Sequence, residues 1–130
     1  MINKTNEFSF ILKPAQYGVG VFAVEDIKKD THLRLFGDKE TIDLRSLVRN
    51  KKDVPKIFWD YCMDRGEDLV CPIDFGHMHL GWYLNHSKNP NTYPDKDYKW
   101  YAKDDIKAGE EITIDYNLLN EPKENQPDYY

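Results

Sequence analysis

Two stretches near the ends of this chain echo one another. Phe22-Ala23-Val24-Glu25-Asp26-Ile27-Lys28-Lys29-Asp30 resembles Tyr101-Ala102-Lys103-Asp104-Asp105-Ile106-Lys107-Ala108-Gly109. Each copy reads as a strand, an acidic-then-basic turn and a second strand carrying one buried isoleucine. Two copies do not make a solenoid, which needs three or more. They predict two similar β-units flanking an insert. Composition points the same way: nine tyrosines against only four alanines favour strands and loops over a helical bundle.

Local patterns fill in the rest. Strands are expected at residues 8–12, stopped by Pro14, and at 21–24, 33–36, 99–102 and 112–116, bounded by turn residues. The middle of the chain reads differently. Leu44, Leu47 and Val48 fall at helical spacing, and Asp53-Val54-Pro55 resembles a helix start followed by Phe58, Tyr61 and Cys62 at i, i+3 and i+4. Two short helices are therefore expected inside a mainly β chain. Residues 69–75 read as extended and, with Pro72 among them, as an edge strand.

With 130 residues the chain suits one domain. No apolar run approaches the roughly 20 residues that cross a bilayer, and the first residues lack the apolar stretch of a signal peptide. A cytoplasmic protein, or one delivered into a host cell or nucleus, is the expectation, with no membrane partner. Cys62 and Cys71 are too few for a disulfide framework and match no zinc spacing, even with His77 and His79 nearby. A net charge of −5 argues against direct nucleic-acid binding and tolerates a basic partner.

Three segments carry polar chemistry. Gly18-Val19-Gly20 before a strand lets backbone approach a ligand, although for this segment taken alone a structural turn is the stronger reading. It is no dinucleotide fingerprint, since the third glycine and the following helix are missing. Asn85-His86-Ser87, with Pro90 and Asn91, follows the apolar run at residues 80–84, so its amide and imidazole need partners from backbone or ligand. Glu110-Glu111-Ile112-Thr113-Ile114-Asp115-Tyr116 reads by itself as one arm of a hairpin.

In this order the three segments resemble the signature of SET-domain lysine methyltransferases. The resemblance runs from about Phe8 to Tyr116 and looks like the minimal stand-alone members of viruses and bacteria. It implies a β-clip SET fold over residues 1–116, with the helical insert at about 38–68. Residues 117–130 would form a tail able to close the site. The same resemblance implies a knot-like crossing of Asn85-His86-Ser87 with Asp115-Tyr116. It also implies S-adenosylmethionine as cofactor and a lysine-containing protein, plausibly a basic tail, as substrate.

The resemblance also assigns roles. Gly18, Val19 and Gly20 would contact the methionine part of the cofactor, and Asn85 and His86 would hold it. Tyr116 matches the catalytic tyrosine, Tyr93 would wall the lysine channel, and Ile114 occupies a position tied to the number of methyls added. The cysteines of a post-SET zinc site are missing, so no metal is expected. Closure would fall to Tyr129 and Tyr130 or to a second subunit in a homodimer. Trp82 stands where an arginine is common, and Asp30 where a turn glycine is frequent. A SET-like module that binds peptide or cofactor without catalysis is the alternative.

Overall fold

A computed structural model describes residues 4–16, 18–36, 46–97 and 99–119. The tail beyond Leu119, including Tyr129 and Tyr130, lies outside the described residues, as do Leu44 and Gly37-Asp38, the turn residues behind the strand expected at 33–36. Among the described residues ten short strands form three sheets. The first sheet has the order β1 (Phe10–Ala15), β2 (Gly18–Ala23), β10 (Glu111–Ile114), β7 (Asn85–His86). The second is β3 (His32–Leu33), β9 (Trp100–Ala102), β8 (Thr92–Pro94), and the third is β4 (Ser46–Asn50), β6 (Asp68–Pro72), β5 (Met63–Arg65). The mainly β architecture is as expected. Pro14 does not end β1; it sits opposite Val19 at a sheet edge, where a missing N–H costs no ladder bond.

The sequence echo is a structural pseudo-symmetry. Ile27 and Ile106 face each other and exchange both main-chain hydrogen bonds, each 2.7 Å. Around that pair further bonds come in matching counterparts. Asp30 N–H donates to Ala102 O and Gly109 N–H to Ala23 O, both at 2.8 Å. The Asp105 carboxylate accepts from Lys29 N–H at 2.9 Å, and the Asp26 carboxylate from Ala108 N–H at 2.8 Å. The acidic residues of each copy thus tie down the basic turn of the other. Asp30 and Gly109, equivalent in the echo, both have left-handed backbone, with φ of 66° and 92°. Ala23, Ile27, Ala102 and Ile106 are all buried in the main core, with Val21, Leu33, Trp100, Ile112 and Ile114.

The insert departs from expectation. Leu47 and Val48 lie on β4, not on a helix, opposite Cys71 and Val70 of β6. Their β-branched and leucine side chains stand 62% and 48% exposed, so the apparent helical spacing reported no buried face. β6 is the central strand of its sheet, not an edge. Pro72 is tolerated because it is the last residue of the strand, paired with Ser46. Among the described residues helical structure is limited to 3-10 turns, one of them Lys56–Tyr61, where the indole N–H of Trp59 donates to Val54 O at 2.8 Å. Val54, Leu69 and Cys71 make a second, smaller core.

Candidate functional site

The three polar segments meet in the first sheet. β7 is only two residues long, and its strand character comes from β10, which runs parallel to it with Thr113 opposite Asn85 and Ile114 opposite His86. Ser87 N–H extends the pairing to Ile114 O at 2.9 Å. β10 in turn lies antiparallel to β2. Asn85 bridges all three: its Nδ2 donates to Val19 O at 3.1 Å and to the Glu111 carboxylate at 2.7 Å. The Asn85-His86-Ser87 and Asp115-Tyr116 segments are therefore neighbours.

Asn91, three residues past Lys88, clamps the same strand. Its Nδ2 donates to Glu111 O at 2.8 Å and its Oδ1 accepts from Thr113 N–H at 3.0 Å. The buried Thr92 hydroxyl adds a bond to Thr113 O at 2.7 Å. An asparagine is suited to this because one planar group offers both donor and acceptor.

After β10 the chain turns at Asp115, whose carboxylate accepts from Asn117 N–H at 2.9 Å. This brings Tyr116 back over the Asn85-His86 segment. The Tyr116 N–H donates to His86 Nδ1 at 3.0 Å, and the Tyr116 hydroxyl donates to Leu84 O in a short hydrogen bond. The His86 side chain is only 3% exposed. Burial holds its imidazole below the ordinary value, aided by Lys88 and opposed by Asp115. A neutral ring accepting at Nδ1 carries its proton on Nε2, which fixes the tautomer.

A cleft of about 640 Å³ opens beside these groups. Val19, Leu84, Asn85 and Tyr116 form one side of it, and Trp82 and Tyr83 continue that wall. The opposite wall comes from the insert: Ile57, Phe58, Asp60 and Tyr61. The Tyr61 and Tyr83 rings meet edge to face at 5.7 Å. The Trp82 indole N–H is buried and finds no hydrogen-bond partner among the described residues. The cleft thus combines aromatic rings with the polar groups of Asp60 and Asn85, within the roughly 300–1,000 Å³ usual for small-molecule sites.

Of the residues singled out in the sequence, Val19, Asn85 and Tyr116 line the cleft, and His86 supports Tyr116 from behind. Gly20 answers a packing demand. A Cβ there would lie 2.3 Å from Glu111 Oε2 and 3.0 Å from Asn85 Nδ2, so the glycine makes room for that pair. Gly18 has φ of 84° and open space around it, so its requirement is conformational.

Two of the residues singled out in the sequence lie away from this cleft. Tyr93 does not line the cleft: it stacks on Tyr101 at 5.5 Å and donates its hydroxyl to Asp30 at 2.8 Å, on the second sheet. Ile114 is 5% exposed and belongs to the main core. Along β10 Ile112 and Ile114 are buried and alternate with the half-buried Glu111 and Thr113, so Ile114 turns inward. The insert wall was missed. Phe58 and Tyr61 were visible only as an apolar face at helical spacing, and nothing local marks that face as open to a cleft.

The fold and the site define a class: a small β protein whose asparagine-histidine loop and late tyrosine share one cleft with a G-x-G strand. The SET domain model matches residues 18–117, and the chain belongs to that family. It is similar to a histone-lysine N-methyltransferase, H3 lysine-36 specific, of Debaryomyces hansenii, 32% identical over 86% of this chain and 16% of that protein. A protein of the same name from Coccidioides immitis is 29% identical over 92% of this chain and 12% of its own length. The chain therefore spans less than a fifth of the length of these curated relatives.

Among solved structures, a candidate histone methyltransferase of Plasmodium falciparum superimposes with a TM-score of 0.54 at 21% identity, covering 85% of this chain and 95% of that one. KRYPTONITE, in complex with mCHG DNA and SAH, superimposes with a TM-score of 0.57 at 18% identity, covering 95% of this chain and 26% of that one. At these identities the likeness is one of fold.

Proposed function

We propose that the chain transfers a methyl group from S-adenosylmethionine to the side-chain amine of lysine in a protein substrate. The observation that carries this reading is the placement of Val19, Asn85 and Tyr116 on one cleft, with the Tyr116 phenol anchored on Leu84 O. Family membership supports the cofactor, and the residues present fit it. The cleft has aromatic walls, a carboxamide at Asn85 and an unused buried donor on Trp82. Val19, Asn85, Trp82 and Tyr116 would hold the cofactor, which supplies a methyl group on a sulfonium centre.

The chain's own contribution is placement and desolvation. Bringing an amine into line with a methyl donor removes much of the entropic barrier, and no covalent enzyme nucleophile is needed. The acceptor must be neutral, whereas free lysine has a pKa of about 10.4. Phe58, Tyr61, Trp82 and Tyr83 exclude water and disfavour the charged ammonium. Their ring faces still tolerate a sulfonium or a methylated ammonium. Because the Tyr116 proton is given to Leu84, its oxygen meets an incoming amine as an acceptor. Tyr116 then orients the amine and does not act as a strong base.

The relatives' names point to histone H3 as their substrate. For this chain the substrate class is a basic protein tail, consistent with a net charge of −5 and with Asp60 on the cleft wall. Incubating the chain with methyl-labelled S-adenosylmethionine and a histone mixture tests the proposal. Label on lysine side chains, located by mass spectrometry, is the expected result. Heat of cofactor binding without any transfer would favour a binding module instead.

A further inference from the structure

We propose that Cys62 and Cys71 are a disulfide-forming pair that clamps the insert wall of the cleft. The pairing of β5 with β6 sets Met63 opposite Val70, Asp64 opposite Leu69 and Arg65 opposite Asp68. One step further along that register, Cys62 stands opposite Cys71. Cys62 has extended backbone, with φ of −119° and ψ of 161°, so it continues the line of β5. The Cys71 thiol lies in the smaller core with Val54 and Leu69, donating to Leu69 O at 3.6 Å, and Cys62 packs against that core. Directly opposed residues of an antiparallel pair have Cα atoms about 4.5–5.5 Å apart, inside the roughly 4.4–6.8 Å that a disulfide spans.

The position gives the pair its consequence. Cys62 ends the 3-10 turn Lys56–Tyr61, donating its N–H to Trp59 O at 3.0 Å and its thiol to Phe58 O at 3.4 Å. That turn carries the whole insert side of the cleft. A covalent bond from Cys62 to β6 would add a fixed link between the end of the turn and the smaller core, which Cys62 otherwise meets by packing.

A small-molecule disulfide such as glutathione disulfide is the oxidant the step requires. The Cys62 thiolate, from the more exposed of the two residues, attacks one of its sulfurs and releases one glutathione thiolate. The Cys71 thiolate then attacks Cys62 sulfur, forming the Cys62–Cys71 bond and releasing the second. Two protein thiols are oxidised, one disulfide is reduced, and the two protons pass to the glutathiones. Burial raises both thiols above their ordinary range, so the exchange is slow at neutral pH and accelerates as pH rises.

The test uses the folded full chain incubated with glutathione disulfide, followed by digestion without reductant and mass spectrometry. The expected product is an intramolecular Cys62–Cys71 cross-linked peptide that dithiothreitol reverses. The segment 56–62 should then exchange amide hydrogens at least several-fold more slowly, with the β1–β2 hairpin unchanged. Thiols that stay free in the folded chain but react after denaturation would overturn the pairing, as would a mixed disulfide on Cys62 that never resolves. A cross-link that leaves exchange over 56–62 unchanged would overturn the clamp. Cys71→Ser and Cys62→Ser each remove the cross-link, and wild-type chain alone decides the matter if either variant fails to fold. None of these readouts depends on methyl transfer, so they fail independently of the proposed activity.

Discussion

The hydroxyl of Tyr116 donates to the main-chain oxygen of Leu84, 32 residues earlier, while its own N–H is received by the His86 ring. One residue is thus fixed at both ends by the segment that precedes and forms β7. The phenol cannot swing away from the cleft without giving up the Leu84 bond, and the backbone cannot shift without disturbing His86. The geometry of the site rests on these two bonds.

The packing of Gly20 gives a first prediction. Gly20→Ala puts a methyl against the Glu111 carboxylate and the Asn85 amide, costing about 1–3 kcal/mol of stability. Glu111→Ala in the same chain relieves much of that cost, so a double-mutant cycle by urea unfolding should show coupling of at least about 0.5 kcal/mol. Gly18→Ala costs about 1–2 kcal/mol through its left-handed backbone alone, and should show no such coupling. Additive behaviour at Gly20 would mean that the glycine serves something other than this pair.

Asp30 offers a second. Its φ of 66° strains a side-chain-bearing residue, yet its carboxylate receives the Tyr93 hydroxyl at 2.8 Å. Asp30→Gly relieves strain of about 1–2 kcal/mol, offset by the greater freedom of glycine when unfolded and by a lost hydrogen bond worth about 0.5–1.5 kcal/mol. The net change in wild type should be within about 1 kcal/mol. In a Tyr93→Phe background the same substitution should be more favourable by about 1 kcal/mol, because no bond remains to lose. Both variants should keep full methyl transfer, since neither residue lines the cleft; loss of turnover in Tyr93→Phe would return that residue to the site.

The pH dependence follows from His86. Burial holds its pKa below the ordinary 6.5, so on acidification the unfolded chain takes up a proton more readily than the folded one. Its contribution to stability is complete above about pH 6.5 and declines as pH falls below that value. Protonation at Nδ1 would also oppose the Tyr116 N–H. The thermal midpoint should drop between about pH 7 and 5, and His86→Gln should flatten that drop. An identical slope in the variant would show that other groups carry the acid sensitivity.

Much of this was legible because the decisive residues are close in sequence to what they do. Ile27 and Ile106 sit in a repeated phrase, and the phrase repeats because its two copies complete each other's hydrogen bonds. Val19, Asn85 and Tyr116 each lie in a short motif whose order survives as adjacency in the sheet. What failed to show was non-local. β7 is two residues that become a strand only beside β10, and Leu47 and Val48 take their conformation from β6, not from their own spacing. Tyr93 follows the N-P-N turn closely, but β8 hands it to the second sheet. Phe58 and Tyr61 have the pattern of a buried face, and only the tertiary fold turns that face into a cleft wall.

The most direct measurement compares wild type with Tyr116→Phe for two quantities: affinity for S-adenosylmethionine by calorimetry, and the rate of labelled methyl transfer to histone lysines. Removing one hydroxyl leaves the ring on the cleft wall but removes the atom that receives the amine. Turnover should fall by at least about tenfold, which corresponds to about 1.4 kcal/mol of lost transition-state stabilisation, while the cofactor Kd stays within about threefold. Unchanged turnover, or equal loss of affinity and rate in a variant that still folds, would contradict the role given to Tyr116.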